Sequence, residues 1–173
     1  MSGLRVLAEA RWPAEAGPGE PPPVVAGYLL SSFNPLVADV AERCLAAHHG
    51  ERPAPPAEGA DTAIVLVSAS GDATSAEHVA ATVDDGRSVG PLFFFQSVPN
   101  SIAGHVAARW GLAGPLTCLC PTGDALADGL DQARLLLDDG AARSALVICV
   151  EQGGGPNGAD SAAAVLVTGD RHR

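Results

Sequence analysis

From residue 61 onward, apolar residues alternate between strand-like runs and helical spacing. Four short runs rich in apolar and β-branched residues are predicted strands: 62–68 (TAIVLVS), 116–120 (LTCLC), 144–151 (SALVICVE) and 161–168 (SAAAVLVT). Helical spacing predicts helices at 74–83, 100–110 and 122–137. Because the runs are apolar at consecutive positions, we expect buried strands in an α/β fold, with a covered sheet that is largely parallel or mixed.

The first 60 residues are less regular. Apolar spacing predicts one amphipathic helix at 35–48, with Asn34 as its N-cap and Gly50 as its stop. Two polar, proline-rich stretches at 13–23 and 50–59 are predicted to be exposed connectors, since proline removes a backbone donor and restricts the chain. The sequence has no internal repeat, so a single domain over residues 1–173 is expected.

Polar residues mark where two of the predicted helices begin. Asp72 or Thr74 opens the helix at 74–83, and Glu77 completes a capping box there. Thr122 and Asp124 are predicted caps of the helix at 122–137.

Composition narrows the classes of partner. The 173 residues include 20 acidic residues, 10 Arg and no Lys, for a net charge of −10. Such a chain cannot neutralise a row of phosphates, so neither nucleic acid nor an anionic membrane is an expected partner. No apolar stretch is as long as a membrane span, and the first residues lack the apolar core of a signal peptide. We therefore expect a cytoplasmic protein.

Cysteine and histidine positions predict neither a metal site nor a cofactor. The four cysteines lack the spacing of a disulfide framework and are interpreted as reduced thiols. Cys118 and Cys120 share one face of a predicted strand, and no second ligand pair follows at zinc spacing, so a structural place in the core is expected. His48, His49 and His172 lie at predicted exposed ends without a partner in the sequence.

Residues 91–151 resemble the N-terminal half of β-ketoacyl synthases, the condensing enzymes of fatty-acid and polyketide assembly, which have the thiolase fold. The matching positions are Pro91, Phe93, Asn100, Ala103-Gly104-His105, the turn from Trp110 to Pro115, Asp139-Gly140 and Val150-Glu151. Residues 61–90 fit the family more loosely, and residues 1–60 are abbreviated and divergent. The resemblance implies half of a thiolase-like fold, with a mixed sheet flanked by helices.

The resemblance also implies that the catalytic cysteine has been lost. In the family this cysteine lies at the turn from a strand into a helix, where the helix N-terminus lowers the thiol pKa. Counting from Gly114-Pro115 and back from Gly140 places Gly123 at that position. The family's two active-site histidines belong to a second half that lies beyond this sequence. We therefore expect no catalytic residue here and no enzyme activity of the chain on its own; the alternative is a shifted nucleophile at Cys120.

Chain-length factors of type II polyketide synthases, including polyene-forming ones, are non-catalytic relatives of this kind. The resemblance implies a pseudo-twofold heterodimer with a complete ketosynthase, built across a paired strand of each subunit. The segment that would cross the interface and line the partner's acyl tunnel is Leu92, Phe93, Phe94, Phe95, Gln96, Ser97 and Val98, followed by Asn100. If this segment is extended, its consecutive rings point to opposite faces, so at least one faces a partner or ligand; the alternative is a fully buried strand.

Acidic residues recur along the helix at 122–137 and its end. They are Asp124, Asp128, Asp131 and Asp138. In a full ketosynthase the corresponding helix is covered on both sides, and unpaired charges there would be costly to desolvate. We expect a solvated face, either because the second half is missing or because Arg134 and Arg143 pair with these carboxylates on an ordinary surface helix.

Three hypotheses follow. The first is a non-catalytic chain-length-factor-like subunit that binds a ketosynthase, helps shape its acyl tunnel within an acyltransferase complex, and meets the acyl chain of an acyl carrier protein indirectly. The second is a small thiolase-half enzyme that uses Cys120 for acyl transfer, hydrolysis or cyclisation of thioesters. The third is a structural scaffold or decayed remnant that binds no ketosynthase.

Overall fold

The structure is a computed structural model that describes residues 3–14, 23–28, 30–153 and 158–170, with only the backbone of Leu92 and Phe95. The described residues form a five-stranded mixed sheet in the order β1-β5-β4-β2-β3. The strands are β1 (Leu4–Trp12), β2 (Thr62–Val67), β3 (Leu116–Leu119), β4 (Ser144–Glu151) and β5 (Ser161–Gly169). Strand β2 lies parallel to both β3 and β4, whereas β5 is antiparallel to β4 and to β1.

Helices cover both faces of this sheet. They are α1 (Phe33–His49), α2 (Pro56–Gly59), α3 (Ala73–Asp84), α4 (Pro91–Gln96), α5 (Pro99–Trp110) and α6 (Ala125–Asp138). On one face, α1 and α5 bury a core that includes Leu36 and Trp110 against Leu146. On the other face, α6 packs over Val65 and Val147. The predicted mixed sheet flanked by helices is confirmed, because the central strands are apolar on both faces and need a cover on each side. In the described residues, no helix has both the length and the apolarity to cross a membrane.

The first strand was missed by the sequence patterning. Strand β1 pairs antiparallel with β5, and its register shifts between Val6 and Ala8. The two-residue alternation of apolar and polar side chains breaks at this bulge. Only the second half of β1 shows the pattern of a strand, because Ala8, Ala10 and Trp12 are more buried than Glu9 and Arg11. The divergent N-terminal segment therefore contributes an edge strand.

Three local predictions need correction. Asn34 lies inside α1 and is buried, while Ser32 is the N-cap residue; Gly50 does end the helix, at a φ of 79°. The cap of α3 is Asp72, which accepts a hydrogen bond from the Ser75 amide, so Glu77 forms no capping box. The connector at 50–59 contains the helical turn α2. In the connector at 13–23, residues 15–22 lie outside the described residues.

Gly114 lets the turn before β3 lie directly on the backbone of β2. A Cβ at this position would be 2.5 Å from the Thr62 oxygen and 2.8 Å from the Ala63 nitrogen. Because neither backbone atom can give way without moving the central strand, we expect Gly114→Ala to lower the free energy of unfolding by about 3 kcal/mol. Denaturant unfolding measures this change.

The matched control is Gly104→Ala, in the exposed part of α5. A Cβ there meets no atom within 4 Å. We expect this variant to raise the free energy of unfolding by up to about 1 kcal/mol, because alanine favours a helix more than glycine does. Equal effects of the two variants would contradict the close approach at Gly114.

Candidate functional site

The carboxyl ends of β2, β3 and β4 meet at one edge of the sheet, where parallel-sheet proteins bind ligands. The turn that follows β3 runs from Cys120 to Asp124 and leads into α6. A cleft of about 210 Å³ opens beside this turn. It is lined by Phe33, Leu66, Ser68, Gly71, Pro99, Cys118, Leu119 and Cys120.

Gly123, which the resemblance matches to the family's nucleophile position, is exposed in this turn. A Cβ at Gly123 would meet no atom within 4 Å, so a side chain fits there. Its amide donates to Oδ2 of Asp128 at 3.2 Å. The same oxygen accepts hydrogen bonds from Thr122, at 2.6 Å from its amide and 3.1 Å from its hydroxyl. The carboxylate of Asp128 therefore occupies the place toward which the backbone donors of this turn point.

These contacts favour the ionised carboxylate. The hydrogen bond from the Thr122 amide, followed by those from its hydroxyl and from Gly123, lowers the pKa of Asp128. Asp124 uses its own carboxylate to accept from the Ala127 amide at 2.7 Å, so it is the N-cap of α6 as predicted, whereas Thr122 lies before the cap. The donors that could receive a thiolate or an oxyanion here already bind carboxylates of the chain itself.

Two of the four cysteines do not lie in the core that the sequence predicted for them, whereas Cys44 is buried. Cys118 and Cys120 are exposed rather than in the core, because β3 is an edge strand and Cys120 follows its last residue. Burial raises the pKa of Cys44 and of Cys149 to about 11. Partial desolvation of the Cys118 thiol, which lines the cleft, raises its pKa as well. These three thiols are therefore protonated and weakly nucleophilic at neutral pH.

The aromatic segment forms a helix and is not extended. Pro91 occupies the first turn of α4 after Gly90, whose oxygen accepts from the amides of Phe93 and Phe94 at 3.0 and 3.2 Å. A run of consecutive apolar residues does not distinguish a strand from a short helix, and the proline at the start favours the helix. The expectation that the rings alternate between two faces was wrong for this reason.

The rings of this segment differ in their surroundings. Phe93 is half-buried and contacts the ring of His78 edge-on, with 5.0 Å between ring centroids. Phe94 is 67% exposed. Ser97 closes the helix by donating from its hydroxyl to the Phe94 oxygen at 2.8 Å, and Val98 leads in extended conformation into α5. For Leu92 and Phe95 the structure describes only the backbone.

A buried polar network fixes the start of α1 against α3 and α4. Asp72 accepts hydrogen bonds from the Ser31 hydroxyl at 2.6 Å and the Ser75 hydroxyl at 2.7 Å. Asn34 donates from its amide to Asp72 at 3.3 Å and to the main-chain oxygen of Gln96 at 3.2 Å. This network positions α4, and the sequence patterning missed it, because a buried Asn inside a helix looks like a helix cap in the sequence.

Asn100 is exposed in the first turn of α5. It borders a shallow cleft with Tyr28, Ser101, Gly104 and His105. His105 contacts Tyr28 edge-on, with 6.1 Å between ring centroids. Asn100 follows the α4 segment closely in the chain, whereas Gly123 lies in the separate turn between β3 and α6.

The acidic stripe lies on the outer side of α6. Within this helix Gly129 and Ala133 are buried against the sheet, whereas Asp131 and Asp138 are exposed. Arg134 pairs with Asp131 at 2.6 Å, as the surface-helix interpretation expected. Arg143 instead pairs with Asp61 at 2.6 Å, so it does not neutralise the stripe.

Residues 30–155 match a family model described as the N-terminal domain of β-ketoacyl synthase. Among curated protein sequences, none matches the chain. The region matched by the family model includes β2, β3, β4, the α4 segment and the Gly123 turn.

Solved structures share the fold at low sequence identity. A ketosynthase in complex with its chain length factor from Xenorhabdus doucetiae aligns with a TM-score of 0.71 and 19% identity, covering 97% of this chain and 79% of that one. The ishigamide ketosynthase/chain length factor aligns at 0.66 and 20% identity, over 83% of this chain and 45% of that one. A β-ketoacyl synthase from Burkholderia phymatum aligns at 0.73 and 11% identity, over 98% and 60%. The thiolase-like ketosynthase fold implied by the resemblance is confirmed, and the chain spans less than two thirds of the latter two structures.

Proposed function

Because this chain belongs to the β-ketoacyl synthase N-terminal domain family, we propose that it is a non-catalytic, chain-length-factor-like subunit of a type II polyketide synthase. It acts in the cytoplasm as a single domain that pairs with a complete ketosynthase and helps shape that enzyme's acyl tunnel. The observation that carries the proposal is the turn at Gly123, where a condensing enzyme needs its nucleophile.

This turn argues against catalysis by the chain itself. Glycine offers no nucleophile, and the carboxylate of Asp128 binds the amides of Thr122 and Gly123. A second anion at this place would meet the negative charge of Asp128, which opposes both a thiolate and an oxyanion. Catalysis of the decarboxylative condensation therefore falls to the partner.

The free edge of β3 supports pairing with a ketosynthase. Among the described residues, β3 hydrogen-bonds with β2 on one side and has no strand on its other side. Leu116 is 39% exposed and Cys118 is exposed, although both belong to an apolar run. An exposed, apolar edge strand favours addition of a strand from another chain. Two of the similar solved structures are ketosynthases with chain length factors, so a ketosynthase is the proposed partner.

Helix α4 is the proposed wall of the partner's tunnel. Its end is held by the hydrogen bond from Asn34 to the Gln96 oxygen, and Phe93 is held by His78. A fixed helix that presents the exposed ring of Phe94 can close a tunnel at a defined depth. The acyl chain would reach this wall while bound to an acyl carrier protein at the ketosynthase, so the carrier itself is an indirect partner.

Product length tests this wall. We expect Phe94→Ala, assayed with the ketosynthase partner, to shift the products toward longer acyl chains, because removal of the ring deepens the tunnel. Mass spectrometry of the released products measures the shift. The control is Leu135→Ala, which removes another exposed apolar side chain, 59% exposed, on α6. Unchanged product length in Phe94→Ala, or an equal shift in Leu135→Ala, would contradict the proposal.

The second candidate function is an acyl-thioester enzyme that uses Cys120. The observation that favours it is the exposed position of Cys120 at the rim of the cleft beside β2 and β3. Its thiol has weak contacts, at 3.7 Å to the Ala69 oxygen and 3.8 Å to the Pro121 oxygen. Loss of a measured thioesterase or acyl-transfer activity after selective alkylation of Cys120 would support this function over the first.

A further inference from the structure

Three potential metal ligands meet where α1 ends and α2 begins. The carboxylate Oε2 of Glu58 lies 3.8 Å from Nε2 of His48 and 3.4 Å from Nδ1 of His49. All three atoms lie within 4.8 Å of one another. The expectation that these histidines have no partner was wrong, because the turn of α2 brings Glu58 back onto the last turn of α1.

His49 is held in place rather than free at the surface. Its side chain is 4% exposed, and its ring packs near Trp110, with 6.3 Å between ring centroids. The buried Nε2 has no hydrogen-bond partner in the described part of the chain. Nδ1 is the nitrogen of this ring that faces Glu58, at 3.4 Å from its carboxylate.

The surroundings favour a cation. The last carbonyls of a helix carry partial negative charge, and both histidines lie in the last turn of α1. Glu58 adds a full negative charge, and the chain as a whole has a net charge of −10. Arg52, the basic side chain on the same connector, pairs with Glu42 at 2.9 Å rather than with Glu58.

We propose that His48 Nε2, His49 Nδ1 and Glu58 Oε2 bind a divalent transition-metal ion, with zinc as the best fit. At Zn–N and Zn–O distances of about 2.1 Å, tetrahedral ligand atoms lie about 3.4 Å apart. The two distances to Glu58, 3.4 and 3.8 Å, match this spacing to within a few tenths of an ångström. Two imidazoles and one carboxylate are a common zinc donor set, and the fourth position is left to water.

The bound ion fastens the 50–59 connector to α1. Glu58 belongs to the short helix α2, which is joined to β2 by the hydrogen bond from the Thr62 hydroxyl to the main-chain oxygen of Glu58 at 2.7 Å. A metal that binds the folded chain and not the unfolded one stabilises the fold. Without a metal, the carboxylate of Glu58 would form only two surface contacts, one with each histidine.

Zinc titration of the full-length, tag-free chain tests the site. We expect one zinc ion per chain by calorimetry and a rise in melting temperature on addition of zinc alone. We expect His48→Ala and Glu58→Gln each to weaken zinc binding at least about tenfold, because each removes one ligand. Both side chains are exposed, so these variants should fold. The matched control, His78→Ala, should bind zinc as the wild type does.

A second measurement separates this site from the exposed thiols. Cobalt bound by the two histidines and Glu58 gives ligand-field bands without thiolate charge transfer, and Cys118→Ser with Cys120→Ser leaves the binding unchanged. Absence of zinc binding would overturn the proposal. So would unchanged affinity in both His48→Ala and Glu58→Gln, or zinc binding that is lost in the double cysteine variant.

Discussion

Replacing Gly123 by cysteine is expected to give a thiol that reacts slowly at neutral pH, and adding Asp128→Ala is expected to speed its alkylation about tenfold. A cysteine at this turn would stand beside a carboxylate that accepts both nearby amides. The negative charge raises the thiol pKa, and the carboxylate holds the donors that would stabilise a thiolate. Its removal frees these donors and leaves the thiol at the start of α6.

The rate of iodoacetamide alkylation as a function of pH measures this change. The exposed thiols of Cys118 and Cys120 are first replaced by serine, so that the new thiol dominates the signal. Asp131→Ala is the matched control, because Asp131 lies on the same helix and pairs with Arg134 instead of the turn. A fast-reacting thiol in Gly123→Cys alone would contradict the inhibitory role of Asp128, and so would an equal effect of Asp131→Ala.

Cys118→Pro is expected to abolish the complex with the ketosynthase while the chain still folds. Ile64 donates to the Pro115 oxygen at 2.9 Å, and Ser68 donates to the Leu119 oxygen at 3.2 Å. In a parallel ladder this pattern directs the backbone N–H and C=O of Thr117 toward β2. The backbone N–H of Cys118 then points to the open edge. Proline is tolerated at such a position within the chain and cannot donate to an added strand.

Co-purification with the partner, followed by size-exclusion chromatography, measures the loss. Cys118→Val is the matched control, because it removes the same thiol but keeps the N–H and favours a strand. Circular dichroism and a melting curve show whether each variant is folded. A stable complex of Cys118→Pro, or loss of the complex in Cys118→Val as well, would rule out pairing through this edge.

Most of the central sheet could be predicted from the sequence, because its strands are apolar on both faces. Strand β4 was predicted with its observed bounds, and β2 and β5 to within one residue at the end. The prediction for β3 was wrong in burial, since an apolar run looks the same in a central strand and at an edge that another chain can cover. Composition alone does not distinguish these two environments.

The candidate site was only partly predictable. The resemblance marked Gly123 and the segment at 92–98, but it could not show that this segment begins with a helix. Contacts distant in sequence were not visible at all: Asn34 joins Asp72 and Gln96, and Glu58 approaches His48. Such contacts follow from how the helices pack, and no local pattern records them.

Co-expression of this chain with its proposed partner, a complete ketosynthase, followed by size-exclusion chromatography with light scattering, tests most directly whether the two form a heterodimer. We expect a stable one-to-one complex, held by the edge of β3 and the α4 segment. The complex should condense acyl thioesters with the nucleophile of the partner alone. Separate elution of two folded chains, or condensing activity of this chain without the ketosynthase, would contradict it.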